Sequence, residues 1–147
     1  MDADRYRRTT NTINKVITRL QRLGIAFGPM QLLTVTGRRS GRLLTFPIAV
    51  NELDGGRYIF QAFPKAAWVA NVRAADTVTL TRGRKSTTAR LVELPVEQRG
   101  PVLRDLVATS PSSVGTRFVT TGLAEESTPD GVAAAAARIA VFRVEPA

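Results

Sequence analysis

Three short apolar runs, "LLTVT" (32–36), "LLTFPIAV" (43–50) and "RYIFQA" (57–62), follow one another across glycine-bearing gaps. Runs rich in Val, Ile, Thr and Phe suit a pleated, half-buried backbone, and connections this short permit only antiparallel neighbours. A meander of three strands is therefore expected, with Pro47 assigning the second run to a sheet edge or a bulge because proline cannot donate to a ladder. "TVTLTRG" (77–83) and "KSTTARLVEL" (85–94) read as a second hairpin around Gly83 and Arg84. In its second arm Ala89, Leu91 and Glu93 alternate with Thr88, Arg90 and Val92. "IAVFRV" (139–144) supplies a closing strand. About six antiparallel strands with few helices predict a mainly β fold, an antiparallel barrel with peripheral helices.

The helical signals are fewer. Ile13, Val16, Ile17, Leu20 and Leu23 recur at spacings of three and four, which predicts an amphipathic helix over about 11–23 ending at Gly24. Lys15, Arg19 and Arg22 share another face of it. A short helix fits 65–75, with Trp68 and Val72 on one side, and a longer one fits 96–110, kinked or split at Gly100–Pro101. Residues 111–131 read as a loop-rich, mobile segment holding Ser112, Ser113 and Thr116, and 132–138 as a turn or two of helix. With 147 residues and no internal repeat or linker, one domain over 1–147 is expected, its barrel over about 32–144. No apolar stretch is long enough to span a bilayer and the first residues lack a signal-peptide pattern. A cytoplasmic protein is expected, with peripheral contact at the inner membrane face compatible with the basic helix.

Two absences restrict the chemistry. The chain has no cysteine and no histidine, which removes thiolate nucleophiles, the Ser-His-Asp triad and the usual zinc ligands. No metal site is expected, no catalytic side chain stands out, and the hard chemistry of an enzyme built this way falls to a cofactor. A formal net charge of +9 calls for an anionic partner.

Between the first two runs lies Gly37-Arg38-Arg39-Ser40-Gly41. Such a turn is either a solvated hairpin tip or a place where glycines let backbone N–H groups approach an anion that arginine forks then hold. The order "LLTVTGRRSGRLLTFPIAV", "DGGRYIFQAF", "WVANVRAADTVTL" resembles the deazaflavin-dependent nitroreductase family common in actinobacteria. The resemblance covers about residues 13–94, with a weaker echo in "AVFRVEP". It implies a split β-barrel and coenzyme F-420, a deazaflavin carrying a phosphate and an oligoglutamate tail. It further implies a phosphate site at Arg38, Arg39, Ser40 and Gly41, further cofactor contacts at Thr45, Pro47, Ala62, Phe63, Lys65, Trp68 and Asn71, and tail contacts at Lys15, Arg19 and Arg22. Trp68 also reads as core, and Asn71 as a buried amide that needs partners. Where many members carry a second basic residue after the motif serine, this chain has Leu43 and Leu44, with Arg42 beside them.

The reaction implied is hydride transfer from reduced F-420 to a small-molecule quinone, enone or nitro-type acceptor. A non-catalytic binder of a fatty acid or another apolar anion in the same barrel is the alternative, and FMN ranks below F-420 as cofactor. Nucleic acid ranks last, since the aromatics are not interleaved with the basic runs as stacking requires. Split barrels also pair, so a homodimer is a further expectation.

Overall fold

Seven antiparallel strands form one sheet in the computed structural model, which describes residues 30–147. They are β1 (Met30–Thr36), β2 (Leu43–Ala49), β3 (Asn51–Leu53), β4 (Gly56–Phe60), β5 (Val78–Arg82), β6 (Lys85–Glu93) and β7 (Val141–Pro146). The helix expected over 11–23 lies outside the described residues. Four α-helices follow the strands in part: α1 (Ala67–Ala74), α2 (Val96–Thr109), α3 (Ser112–Thr120) and the single turn α4 (Pro129–Ala133), with a 3-10 turn at Ala136–Arg138. The fold is a split β-barrel, an antiparallel barrel as the strand pattern predicted and of the split kind that the resemblance implied.

The order across the sheet is β2-β1-β5-β6-β7-β4-β3. Its two edge strands are thus consecutive in the chain, separated by Val50 alone. A chain can step from one edge of a sheet to the other in one residue only if the sheet curls until its edges meet. This corrects the expected meander. β1 and β2 form a hairpin with Thr36 opposite Leu43. The run 43–53 then breaks at buried Val50, and β3 pairs with β4 rather than continuing beside β2. Asp54 and Gly55, both at positive φ (48° and 79°), make the two-residue turn joining Leu53 to Gly56. Positive φ at both positions is the twist that suits a tight hairpin, and it closes β3 onto β4 after three residues. Pro47 lies in β2, an edge strand, as its missing N–H requires.

Alternation divides the buried residues into two cores. Leu33, Val35, Ile59, Val78, Leu80, Ala89, Phe142 and Val144 point inward and meet Val69 and Val72 of α1, with Trp68 packed against them. Phe60 and Val141, one residue out of phase with these, face outward and meet Leu103, Leu106, Phe118 and Val132 of the helices. Both clusters are needed because β4 and β7 are apolar on both faces.

Two helical expectations change. α2 runs unbroken through Pro101. The proline stands at the sixth helical position, where it forfeits only its own bond to the Glu97 carbonyl, and Gly100 before it has no Cβ to clash with the ring. Residues 111–131, expected as a mobile loop, contain α3 and the start of α4. Gly115 lets α3 approach the Ser127 carbonyl so closely that a Cβ would overlap it. The Thr128 hydroxyl caps α4 by accepting from the Gly131 N–H at 3.0 Å, with Pro129 at its start.

One ionic cluster ties the layers together. Arg99 of α2 is buried, and its guanidinium donates to the carbonyls of Leu94, Ala136 and Ile139 and to Glu93. Glu93 also receives a two-pronged contact from Arg73 of α1 at 2.8 and 2.7 Å. Hydrogen bonding from Arg73 holds the Glu93 carboxyl below its ordinary range, and the charges of Arg73 and Arg99 add to this against a smaller opposing effect of burial. The same contact raises Arg73.

A carboxylate with a lowered folded-state pKa stabilises the fold above the unfolded value of about 4.3, and that contribution fades as pH falls through the folded value. Glu93→Gln should therefore cost about 1–3 kcal/mol at neutral pH, since it leaves the buried Arg99 without its counter-charge. Urea melts from pH 7 to pH 3 should show the difference from wild type shrinking below about pH 4.3. A difference that stays constant over this range refutes the assignment. Gly115→Ala, in the segment read from sequence as a loop, should lower stability by about 1–3 kcal/mol through overpacking against Ser127. An unchanged urea midpoint would mean that this contact is not maintained in solution.

Candidate functional site

The turn between β1 and β2 is closed by its own backbone. The Gly37 N–H donates to the Arg42 carbonyl at 2.8 Å and the Gly41 N–H to the Gly37 carbonyl at 2.9 Å. Gly41 has φ +69°, a conformation that a side chain disfavours, and nothing lies within 4 Å of where its Cβ would stand. The requirement for glycine there is conformational rather than steric. Ser40 turns its Oγ inward to accept the Arg42 N–H at 3.2 Å, which leaves the hydroxyl proton for an outside acceptor.

These bonds decide which donors remain. Gly37, Gly41 and Arg42 have committed their N–H groups within the turn. The Arg38 N–H is committed as well, to Asn71. The N–H groups of Arg39 and Ser40 and the Arg39 guanidinium have no partner among the described residues. Two successive N–H groups and one arginine side chain therefore form a donor set open to an outside acceptor. No acidic residue occurs between Met30 and Asn51 to compete for it.

Asn71 brings the second motif to the first. It is buried at 5% exposure on α1, and its Oδ1 accepts from the Arg38 N–H at 3.1 Å and from Arg38 Nη1 at 2.8 Å. Three residues earlier on the same helix, Trp68 packs its ring 5.6 Å from Phe142 and 6.2 Å from Phe46. That is the core role read beside the cofactor role, and its half-burial leaves part of the side chain exposed. Ala62, Phe63 and Lys65 lie in the segment joining β4 to α1. Gln61 clamps the start of this segment: its backbone N–H donates to the Ala140 carbonyl, its Oε1 accepts the Ala140 N–H, and its Nε2 donates to the Phe63 carbonyl. Lys65 adopts φ +55°, uncommon for a residue with a side chain. Its ammonium has no ion-pair partner among the described residues.

Thr45 and Pro47 occupy β2 beyond the turn, on the strand face opposite Phe46 and Ile48. The Thr45 hydroxyl is hydrogen-bonded to that of Thr34 at 2.8 Å across the hairpin. Leu43 and Leu44, at the positions where the resemblance gives a basic residue, are 73% and 42% exposed. Lys15, Arg19 and Arg22 lie outside the described residues. The structure thus joins Arg38 to Asn71 directly, and α1 links the 61–66 segment to the turn within two helical turns.

A cleft of about 610 Å³ opens at the other end of the barrel. It is bordered by Gln31 and Arg82, about 20 Å from the turn at 3.3 Å per strand residue along β1. None of the residues singled out from the sequence lines it. Among the described residues no helix is long and apolar enough to cross a membrane.

Solved structures with this fold include one described as a domain-swapped dimer, with 24% identity over 93% of this chain and 99% of that one and a TM-score of 0.57. An "F420-H2 Dependent Reductase (FDR-A)" is 26% identical over 80% of this chain and 94% of its own, with a TM-score of 0.54. A protein of unknown function from Agrobacterium tumefaciens, Atu2129, shares 12% identity over 86% of this chain and 51% of its own at a TM-score of 0.56, a likeness of fold alone. No curated protein matches the sequence significantly. The sequence model of the F420H(2)-dependent quinone reductases matches residues 2–122, which contain the glycine turn, the clamped segment and Asn71. The chain therefore belongs to the F420H(2)-dependent quinone reductase family.

Proposed function

We propose that this protein is an oxidoreductase that binds reduced F-420 and passes hydride to a quinone. The observation that carries the reading is the turn: two free successive N–H groups, at Arg39 and Ser40, beside an unpaired guanidinium. That donor set fits a phosphate, with its three acceptor oxygens and negative charge. When bound, the reduced deazaflavin supplies the hydride, which a quinone takes up with one proton to become the quinol. The chain's residues have the task of alignment, which can supply a large part of the barrier reduction without a protein base.

In this reading Arg39 and the two N–H groups hold the phosphate, and the Ser40 hydroxyl adds a donor. The clamped segment at Ala62, Phe63 and Lys65 borders the ring, where the Lys65 ammonium offsets negative charge on it. Trp68 supports that region from the core side, with Thr45 and Pro47 on the neighbouring strand. Lys15, Arg19 and Arg22 attract the carboxylates of the tail. Pairing of two copies draws support from the relative described as a domain-swapped dimer. The proton for the quinol is assigned to solvent, since the chain has no histidine, the side chain whose ordinary pKa suits proton donation near neutral pH.

Fluorescence titration with F-420 and with FMN tests the reading. F-420 should bind more tightly, with an affinity that weakens as salt is added; equal, salt-insensitive affinities would refute it. Return of the oxidised deazaflavin's visible absorbance when menadione is added to the protein with reduced F-420 measures the reductase step directly. Arg39→Ala should weaken F-420 binding by about 1.5–3 kcal/mol, as expected for a charge-assisted hydrogen bond. Arg84→Ala, which removes the same charge from the β5–β6 turn, should change it by less than about 0.5 kcal/mol. If the two variants behave alike, Arg39 acts only through the overall charge.

A further inference from the structure

We propose that Asn71 is a positioning residue for the anion-binding turn, acting through Arg38 and not by touching the ligand; the inference rests on the reading of that turn as the phosphate site. Among the described residues, every other hydrogen bond made by Gly37–Arg42 stays inside the turn. Such bonds fix the shape of the loop, and the paired ends of β1 and β2 place its base, but neither fixes how its tip leans against the rest of the barrel. Among the described residues, the two bonds from Arg38 to Asn71 Oδ1 are the only ones that connect residues 37–42 to another element, and they span 33 positions of sequence.

The geometry explains why one oxygen takes both donors. Its bond to the Arg38 N–H fixes the backbone just before the two free N–H groups, so the peptide planes of Arg39 and Ser40 start from a set orientation. Its bond to Nη1 draws the Arg38 guanidinium back toward α1. The guanidinium is thereby kept from folding over the N–H groups of Arg39 and Ser40, while its remaining donors stay available. Asn71 can serve as this anchor because it is itself held. It is 5% exposed, on a helix whose Val69 and Val72 are in the barrel core. Two residues on, Arg73 grips Glu93 of β6. A pre-set donor array binds an anion more tightly than a mobile one because less ordering remains for the moment of binding.

The Asn71 Nδ2 has no acceptor among the described residues, so a direct donor role is the competing account that the test must separate. Binding is measured for three ligands: F-420, its tail-less phosphate-bearing form, and the same deazaflavin without phosphate. Asn71→Ala should weaken both phosphate-bearing ligands about tenfold and leave the phosphate-free one within twofold. Arg38→Ala, at an exposed position, should reproduce that selectivity, and the double variant should be no weaker than the worse single one. Arg38→Ala alone carries the test if Asn71→Ala does not fold. An equal loss for all three ligands makes Asn71 merely structural and overturns the proposal. So does a loss from Asn71→Ala that persists in full on the Arg38→Ala background, which would place the amide on the ligand. If Arg39→Ala leaves the phosphate-bearing ligands unaffected, the phosphate reading fails and this inference falls with it. If Arg39→Ala weakens them and Asn71→Ala does not, the inference alone fails.

Discussion

The passage from β2 to β3 across Val50 governs the architecture. Because the two edges of the sheet are joined by one residue, the sheet cannot lie open. Curling encloses the inward faces of β1, β4, β5, β6 and β7, and that enclosed space must be filled. Phe142, Leu33, Ile59 and Leu80 fill it from the strands, and α1 fills it from the side with Val69, Val72 and Trp68. A barrel plugged by a helix follows from the connection and not from any strong helical preference. α1 has eight residues, no side-chain cap and no acid in its first turn. Its stability comes from what it buries.

That dependence places α1 between structure and function. Within six residues it contributes an aromatic ring to the core at Trp68, a buried acceptor to the glycine turn at Asn71 and a guanidinium to Glu93 at Arg73. Glu93 in turn neutralises the buried Arg99, which gathers three backbone carbonyls from the segments entering β7 and leaving β6. The same short helix is therefore bound to the barrel interior, to the β1–β2 turn and, through one carboxylate, to the outer helical layer. A displacement of α1 would disturb all three at once.

Much of this was legible in the chain, and the reasons differ by element. The β1–β2 and β5–β6 hairpins were readable because alternation and turn residues are local signals. The Gly-Arg-Arg-Ser-Gly segment was readable as a turn rich in potential donors for the same reason. Its free donors were not: Gly37 and Gly41 spend their N–H groups on the loop itself, and only closure of the turn reveals which ones are left. Asn71 could be singled out as an amide in need of a partner, but the partner, 33 residues away, could not be named. The 111–131 segment misled because its serines, glycines and prolines are loop residues by composition. Here they serve as helix starts and close-packing positions.

By itself, the sequence determined the strand-rich pattern, the tight turns, the absence of histidine and cysteine chemistry, and the cationic glycine loop, since each depends on neighbours along the chain. Only the tertiary structure decided that β3 leaves β2 for β4, that α2 passes unbroken through Pro101, and that Arg38 is tethered to Asn71. Each of these depends on contacts between residues far apart in sequence. Local propensity is silent about such contacts, because the free energy that selects them is gained only when the barrel closes.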